Sequence, residues 1–449
     1  MKSILKITYK KKNKNFIKKF FFGIIWILFF FSININPENL DNLNFTQLLR
    51  LTIPPLFILF FLIFNFNKNL IFFKNENFFI FHLFIIYIVL GIFFIFLNSH
   101  INSYLNLYWG ILMIFPLMYI YSFKNSSEQL RIFLILSLSL ILLVLSYYLT
   151  KIIFAMFSIN ELINFYGISS VNLKYSGNID NISPRSSGLS RMSLILYISF
   201  VIYLITKKNK SYITSLIFIF AIILGSTVLL FQSRTMNFIF IIFSIFLLII
   251  YFKKKNLLNK KLILFLIFIP IISSIIYMSL LNYNKNSQES LKQTQTLNNF
   301  IDTNILINSL IRKSDSENFS SNRFYLWQKS IEISKKNNFL GYGFQADRKL
   351  IKDSIHNVYL YSLISGGFIA MLLIILLSLR GAFISFLILA DFTLSKKNYL
   401  TIDIIPACLV TLFLMRGFLE TSYVIYSIDY LIFILCFTIN EINYKKLNV

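Results

Sequence analysis

Hydrophobic residues in this chain come in long unbroken blocks, with the polar residues gathered between them. Blocks long enough to cross a bilayer occupy 20–36, 48–66, 78–97, 103–122, 132–157, 189–206, 211–231, 236–252 and 262–281. After a long polar interval follow 357–394, 401–419 and 422–440. A helix needs about 20 apolar residues to span a hydrocarbon core of about 30 Å, whereas a soluble domain alternates apolar and polar positions with the helix or strand period. The pattern predicts an all-α polytopic membrane protein. It has about 12 transmembrane helices and one large loop on the far side of the membrane, with short amphipathic helices inside that loop. The block 357–394 exceeds one simple span. Two forms fit it. One is a tilted or broken helix around Gly366 and Gly367. The other is a pair of short spans divided at Arg380, which would give thirteen spans and move the C-terminus outside.

Charge arbitrates between these forms. With twelve spans and the N-terminus inside, the inside segments carry 24 Lys and Arg, eight of them in the first 19 residues. The short outside links at 37–47 and 98–102 carry none. The long outside loop carries 11, but long loops escape the positive-inside rule. Thirteen spans would place Lys396, Lys397, Lys445 and Lys446 outside, so twelve spans with both termini in the cytoplasm fit better. The basic N-terminus and the apolar run from Phe20 imitate a signal peptide. Ile33 to Pro37 offers no small-x-small cleavage site, so this run is expected to be the first anchor. The chain then divides into three parts. Residues 1–281 hold nine spans with a medium outside loop near 158–188, residues 282–355 form the large outside loop, and residues 356–449 hold the last three spans.

Composition narrows the class further. A chain that is 57% hydrophobic and only 14% charged cannot clothe itself as a soluble protein of 449 residues. The net charge of +25 would suit nucleic acid in a soluble basic domain, but no such domain exists here and the charge follows topology. Cys408 and Cys436 both sit in apolar blocks, which argues against a disulfide framework or a cysteine metal site.

The large outside loop has two halves of different character. The first is rich in Asn, Ser, Gln and Thr, a composition that does not build a core. In the second, Asn322 to Lys336 sets Phe324, Trp327, Ile331 and Ile333 among charges, which predicts an amphipathic helix on the membrane surface. Gly341-Tyr342-Gly343 then ends it with a turn.

Few residues can carry chemistry. Of three histidines, His82 lies inside a span and fits a packing or interhelical role. His100 lies in a short link and fits a solvated role. His356 stands where the large loop meets the next span, a place that also suits an ordinary interfacial residue. The arginines are more telling, because the chain otherwise prefers Lys. Arg185, Arg191, Arg234, Arg323 and Arg416 all fall at the outer face or just inside it. Arg234 sits in the tight link Gln232-Ser233-Arg234-Thr235 between two apolar blocks, where a charge is costly unless paired or solvated. Arg323 and Trp327 are four apart and share a helical face. Arg416 and Glu420 are also four apart and are expected to pair. Guanidinium forks suit phosphate, so arginines gathered outside the membrane point to a pyrophosphate or another polyanionic group.

In this respect the chain resembles the O-antigen ligase and O-antigen polymerase family of bacterial envelopes. The resemblance rests on an ordered set over about residues 183–380. It comprises Arg185-Ser186-Ser187-Gly188, Ser233-Arg234 at a span boundary, Arg323-x-x-x-Trp327, Leu340-Gly341-Tyr342-Gly343, and His356-Asn357-x-Tyr359-Leu360 with Gly367. Two slots depart from the family pattern. Asn338 stands where a proline usually precedes the Gly-x-Gly turn, and Ala370 stands where a second glycine often follows in the His span.

The resemblance implies a glycosyltransferase of the bacterial inner membrane with a periplasmic active site. Its donor would be a glycan on undecaprenyl pyrophosphate, and its acceptor a hydroxyl of lipid A core or of another carrier-linked chain. Arg234 and Arg323 would bind the pyrophosphate, with Arg185 and Arg416 assisting. His356 would be the general base of an inverting single displacement, supported by Asn357, Trp327 and Ser233. The lipid pyrophosphate is already activated, and the sequence has no P-loop and no Asp-x-Asp metal signature, so no cofactor or metal is expected. Rival readings are a polymerase joining carrier-linked units, transfer onto protein hydroxyls, and a polysaccharide flippase using Asp391, Asp403 or Asp429. The flippase reading lacks the internal repeats usual in transporters.

Overall fold

The computed structural model describes residues 19–30, 52, 79–101, 104–124, 126–157, 186–206, 212–230, 233–253, 323–394 and 400–447. The expected spans 48–66 and 262–281, the loop 158–185 and the Asn-rich half of the large loop lie outside the described residues, apart from single positions. Among the described residues every regular element is helical. In chain order these are α1 (Lys19–Phe30), α2 (Phe79–Leu97), α3 (Tyr104–Ser122), α4 (Ser127–Phe157), α5 (Ser186–Thr206), α6 (Tyr212–Leu230), α7 (Arg234–Lys253), α8 (Arg323–Lys336), α9 (Ala346–Leu350), α10 (Val358–Leu394), α11 (Thr401–Gly417) and α12 (Ile428–Leu447). Three of these contain stretches long and apolar enough to cross a membrane unaided: Ser127–Thr150, Gly188–Thr206 and Val358–Leu394. The shorter apolar helices lie within α1, α2, α3, α6 and α7.

The residues form two compact units. One comprises Met1–Ser137, Asn322–Ala390 and Pro406–Val449, and the other comprises Leu138–Ser321 and Asp391–Ile405. In the second unit α5 is buried over most of its circumference, as expected of a helix that is apolar all round. Ser190 Oγ donates to the Val228 carbonyl at 3.1 Å, and the Tyr197 ring meets Phe240 with centroids 5.0 Å apart. Around α5, α6 exposes Ile219, Phe220 and Ile223, and α7 exposes Phe238, Ile241 and Ile245. Such apolar outer faces suit lipid.

The first unit is held by aromatic stacking with polar tips satisfied inside. Trp26 stacks on Phe133 at 5.5 Å while its Nε1 donates to Ser137 Oγ at 2.8 Å. Tyr430 donates to the Met113 carbonyl at 2.6 Å. Phe344, from the outer segment, drives its ring between α2 and α3. It fits because positions 91 and 110 are glycines, where an added Cβ would lie 2.4 and 3.0 Å from that ring.

The long block 357–394 is one helix broken at Gly367, whose φ of 76° and ψ of −171° lie outside the helical region. The helix continues through Arg380, which pairs with Glu441 at 3.2 Å. A break frees backbone groups that a membrane interior leaves without water. Here the Gly341-Tyr342-Gly343 turn supplies their partners. Tyr342 N–H donates to the Ile364 carbonyl at 2.7 Å and Gly343 N–H to the Ser365 carbonyl at 2.9 Å. In return Phe368 N–H donates to the Phe339 carbonyl at 2.9 Å. The same docking explains the departure at position 338. Asn338 has φ 50° and Phe339 φ 58°, and proline, fixed near −65°, cannot take that conformation while asparagine tolerates it. Ala370 fits because Gly366 opposite it lacks a Cβ, which would otherwise sit 2.5 Å away.

The last helix differs from expectation at both ends. It begins at Ile428, not 422, because Tyr423, Val424 and Tyr426 are buried as a loop: Tyr423 stacks on Phe433 at 4.2 Å, and Tyr87 donates to the Val424 carbonyl at 3.1 Å. It runs on to Leu447 through Glu441, whose charge is met by Arg380.

Gly367→Ala tests the break. The added Cβ would meet the Phe339 carbonyl oxygen at 2.8 Å in a backbone region that alanine avoids. We expect destabilisation by about 1–3 kcal/mol or more, read as a lower thermal midpoint of detergent-purified protein.

Candidate active site

The folded half of the outer loop builds the site from its own small core. Helix α8 buries Leu326, Ser330 and Ser334 along one stripe. Leu326 packs with Ala346, Ile351, Ile355 and Ile364, and Trp327, Ile333 and Tyr342 close over them. Phe324 and Ile331 point outward instead, so the apolar residues of α8 serve two faces rather than one.

His356 is held from both sides. Trp327 Nε1 donates to the Ile355 carbonyl at 3.0 Å. Asn357 caps α10, its Oδ1 accepting from Tyr359 N–H at 2.9 Å and Leu360 N–H at 3.0 Å, while its Nδ2 donates to the Phe418 carbonyl at 3.0 Å. Between these anchors His356 takes φ 53°, a left-handed conformation that a histidine adopts only under constraint. Asn357 and Trp327 therefore act on the backbone around His356 and on the loop opposite, not on the imidazole.

The imidazole faces Glu420. His356 Nδ1 lies 2.8 Å from Glu420 Oε2, and Arg323 Nη2 lies 3.0 Å from Glu420 Oε1. One carboxylate thus joins α8 to the start of α10. With a carboxylate as partner, Nδ1 is the nitrogen that donates to Glu420, and Nε2 is the one left for another partner. Burial alone would push the Glu420 carboxyl up. The hydrogen bond from His356 and the charges of Arg416 and Arg323 outweigh it and hold the group below its ordinary 4.5.

Glu420 is the residue that local spacing misassigned. Its backbone N–H does bond to the Arg416 carbonyl at 2.8 Å, but the Arg416 guanidinium pairs with Asp429. Arg416 is buried at the end of α11, and Asp429 is buried in the first turn of α12. Their ion pair closes the loop that presents Glu420. This corrects the expected Arg416–Glu420 ion pair. Asp429 is the ion-pair partner of Arg416.

Asp347 was also missed. It is buried in α9, and burial pushes its carboxyl up to about 6 against the charge of Arg348 and the backbone N–H groups of Arg348 and Ile355. The bond to Ile355 places this carboxyl directly behind the backbone of His356.

The other candidate arginines belong to the second unit or lie outside the described residues. Arg234 opens α7 and Ser233 precedes it, its carbonyl accepting from Asn237 N–H at 2.9 Å; both belong to the second unit. Arg191 lies half-buried on α5 of that unit. Arg185 lies outside the described residues. Next to the helix break, an apolar hollow of about 490 Å³ is lined by Leu90, Phe94, Phe339, Leu340, Phe368 and Ile369, among others. Among the described residues no group of three or more His, Cys, Asp and Glu side chains gathers as a metal site would require.

Residues 219–375 match the family described as O-antigen ligase. This segment is similar to an O-antigen ligase domain. It runs from within α6 through Arg234, Arg323 and His356 to the first turns of α10 beyond Gly367, and Glu420 lies outside it. The match supports similarity to the O-antigen ligase and polymerase family over this stretch. No curated protein matches the chain.

Two carboxyls, one within the matched segment and one beyond it, set opposite pH dependences. Glu420 is depressed, so it stabilises the fold above pH 4.5 and that contribution is lost as pH falls through its folded value. Asp347 is raised, so it costs stability as pH rises from about 3.8 through about 6. Thermal midpoints across pH should show Glu420→Gln below wild type at neutral pH with the gap narrowing in acid. Asp347→Asn should show the reverse, gaining on wild type as the pH rises from about 3.8 to about 6 and levelling off above.

Proposed function

We propose that this protein is an O-antigen ligase that moves a glycan from undecaprenyl pyrophosphate to a hydroxyl of lipid A core at the periplasmic face of the inner membrane. The observation that carries this reading is the shared grip of Glu420 on Arg323 and His356. It sets a base and a cation side by side, which displacement of a pyrophosphate by a hydroxyl requires.

The acceptor hydroxyl oxygen attacks the anomeric carbon from the face opposite the leaving group, which inverts its configuration. As the new bond forms, the bond from carbon to phosphate oxygen breaks and its electron pair leaves with the pyrophosphate. His356 Nε2 takes the hydroxyl proton, and the Glu420 carboxylate at Nδ1 stabilises the imidazolium that results. Arg323 meets the charge on the departing pyrophosphate in the place a metal ion would otherwise take; for Arg234 and Arg185 a pyrophosphate-binding role rests on the family resemblance alone. Arg416 acts at one remove, fixing the loop of Glu420. The apolar hollow beside Gly367 suits the first isoprenyl units of the carrier.

The test is transfer in vitro from a defined undecaprenyl-pyrophosphate glycan to candidate acceptors. His356→Ala should lose about 10²–10⁴-fold in rate, the usual worth of a positioned base, while still accumulating in the membrane. Full activity in that variant would remove the base assignment. Arg323→Lys and Arg234→Lys keep charge but lose the fork, and donor affinity should fall. Deletion of the gene separates ligase from polymerase: polymer stranded on its lipid carrier marks a ligase, and single repeat units on the core mark a polymerase.

A further inference from the structure

Two exposed aromatic rings border His356, one on either side. Phe324 follows Arg323 on α8 and is 68% exposed. Phe418 directly follows α11, two residues before Glu420, and is 56% exposed. Each ring leans on a second one. Phe324 meets Trp327 edge to face with centroids 5.4 Å apart, and Phe418 meets Tyr359 at 5.3 Å. The inner rings are fixed to the backbone on the two sides of the histidine. Trp327 Nε1 donates to the Ile355 carbonyl, and Tyr359 N–H donates to Asn357 Oδ1. Asn357 Nδ2 in turn donates to the Phe418 carbonyl. Between the two pairs the His356 side chain is 33% exposed.

An exposed ring on a membrane protein ordinarily meets lipid, and α8 carries one that fits that role. Tyr325 is exposed, and its ring centre lies 5.7 Å from Lys329 Nζ. Adjacent residues leave a helix about 100° apart, so Tyr325 and Phe324 point to different faces. Phe324 is the one continuous with the site, through Trp327 to the Ile355 carbonyl. Beside it and Phe418 stand the polar groups of Arg323, Glu420 and His356. Acyl chains would use the rings and desolvate those polar groups. A soluble anion would have no use for the rings. A sugar ring matches both features, because its C–H face packs on an aromatic ring while its hydroxyls bond to polar groups at the ring's edge.

We propose that Phe324 and Phe418 line a subsite for the acceptor glycan, each offering its exposed ring to the C–H face of a sugar while the reacting hydroxyl lies at His356. The acceptor is assigned here, and not the donor, because the base that takes its proton is the residue that the two aromatic pairs border. The subsite rests on the proposed transfer reaction and names the residues that select its acceptor.

Full-length protein purified in detergent is titrated with lipid-free core oligosaccharide, and binding is followed by tryptophan emission. Of the three tryptophans, Trp26 and Trp109 are buried, so Trp327 beside Phe324 carries the response. Wild type should bind saturably. Phe324→Leu and Phe418→Leu keep an apolar side chain that lipid would accept but remove the ring, and each should weaken the oligosaccharide about fivefold, the usual worth of one aromatic contact. Phe324→Tyr should restore wild-type affinity, and Tyr325→Ala should leave it unchanged. In the transfer assay the leucine variants should raise KM for the acceptor and leave kcat and the donor KM near wild type. Failure of wild type to bind, or wild-type affinity in both leucine variants, overturns the proposal. A raised donor KM with the acceptor KM unchanged overturns the acceptor assignment. Full transfer by His356→Ala would strike the base and leave the binding result untouched, so the two readings fail separately.

Discussion

Glu420 sits largely out of water and remains an anion because Arg323, His356 and Arg416 surround it. That arrangement constrains much of the first unit. The carboxylate must be presented by a loop that cannot wander, and the buried Arg416–Asp429 pair pins the two ends of that loop. The histidine must face it with a chosen nitrogen, and the left-handed turn at His356 between Trp327 and Asn357 achieves that. Removing one partner of a buried ion pair generally costs more than the pair itself contributes, because it strands the other charge. The cluster is therefore strict about its members.

The helices and the helix break were legible in the sequence because both are local. A run of apolar residues announces a span, and paired glycines at 366 and 367 in an overlong run announce where it bends. The arginine and histidine candidates were legible through rarity, in a chain that prefers Lys and has three histidines. What stayed hidden depends on distance along the chain. Glu420 meets residues 64 and 97 positions away, and no spacing rule reaches so far. The i, i+4 rule instead assigned it to Arg416, a pairing that holds within a continuous helix and fails here because α11 ends at Gly417. Asp347 was invisible for a similar reason: an acid in a short polar stretch looks solvated until the fold shows it buried.

The start of α12 shows the same limit in a different form. Tyr423, Val424 and Tyr426 are as apolar as a span, but they fill the interior as a loop, their backbone groups met partly by distant side chains such as Tyr87. Hydrophobicity reports that a residue leaves water. It does not report whether the residue leaves in a helix.

The union of the Gly341–Gly343 turn with the break at Gly367 has a consequence for how substrate arrives. Lifting that turn would strip partners from the Ile364 and Ser365 carbonyls and the Phe368 amide together, and each unmet group in hydrocarbon costs several kcal/mol. The outer segment is in that sense a keystone and not a door. On the proposed function, a lipid-borne donor would approach sideways along the bilayer, to a cluster of Arg323, Glu420 and His356 that keeps its place.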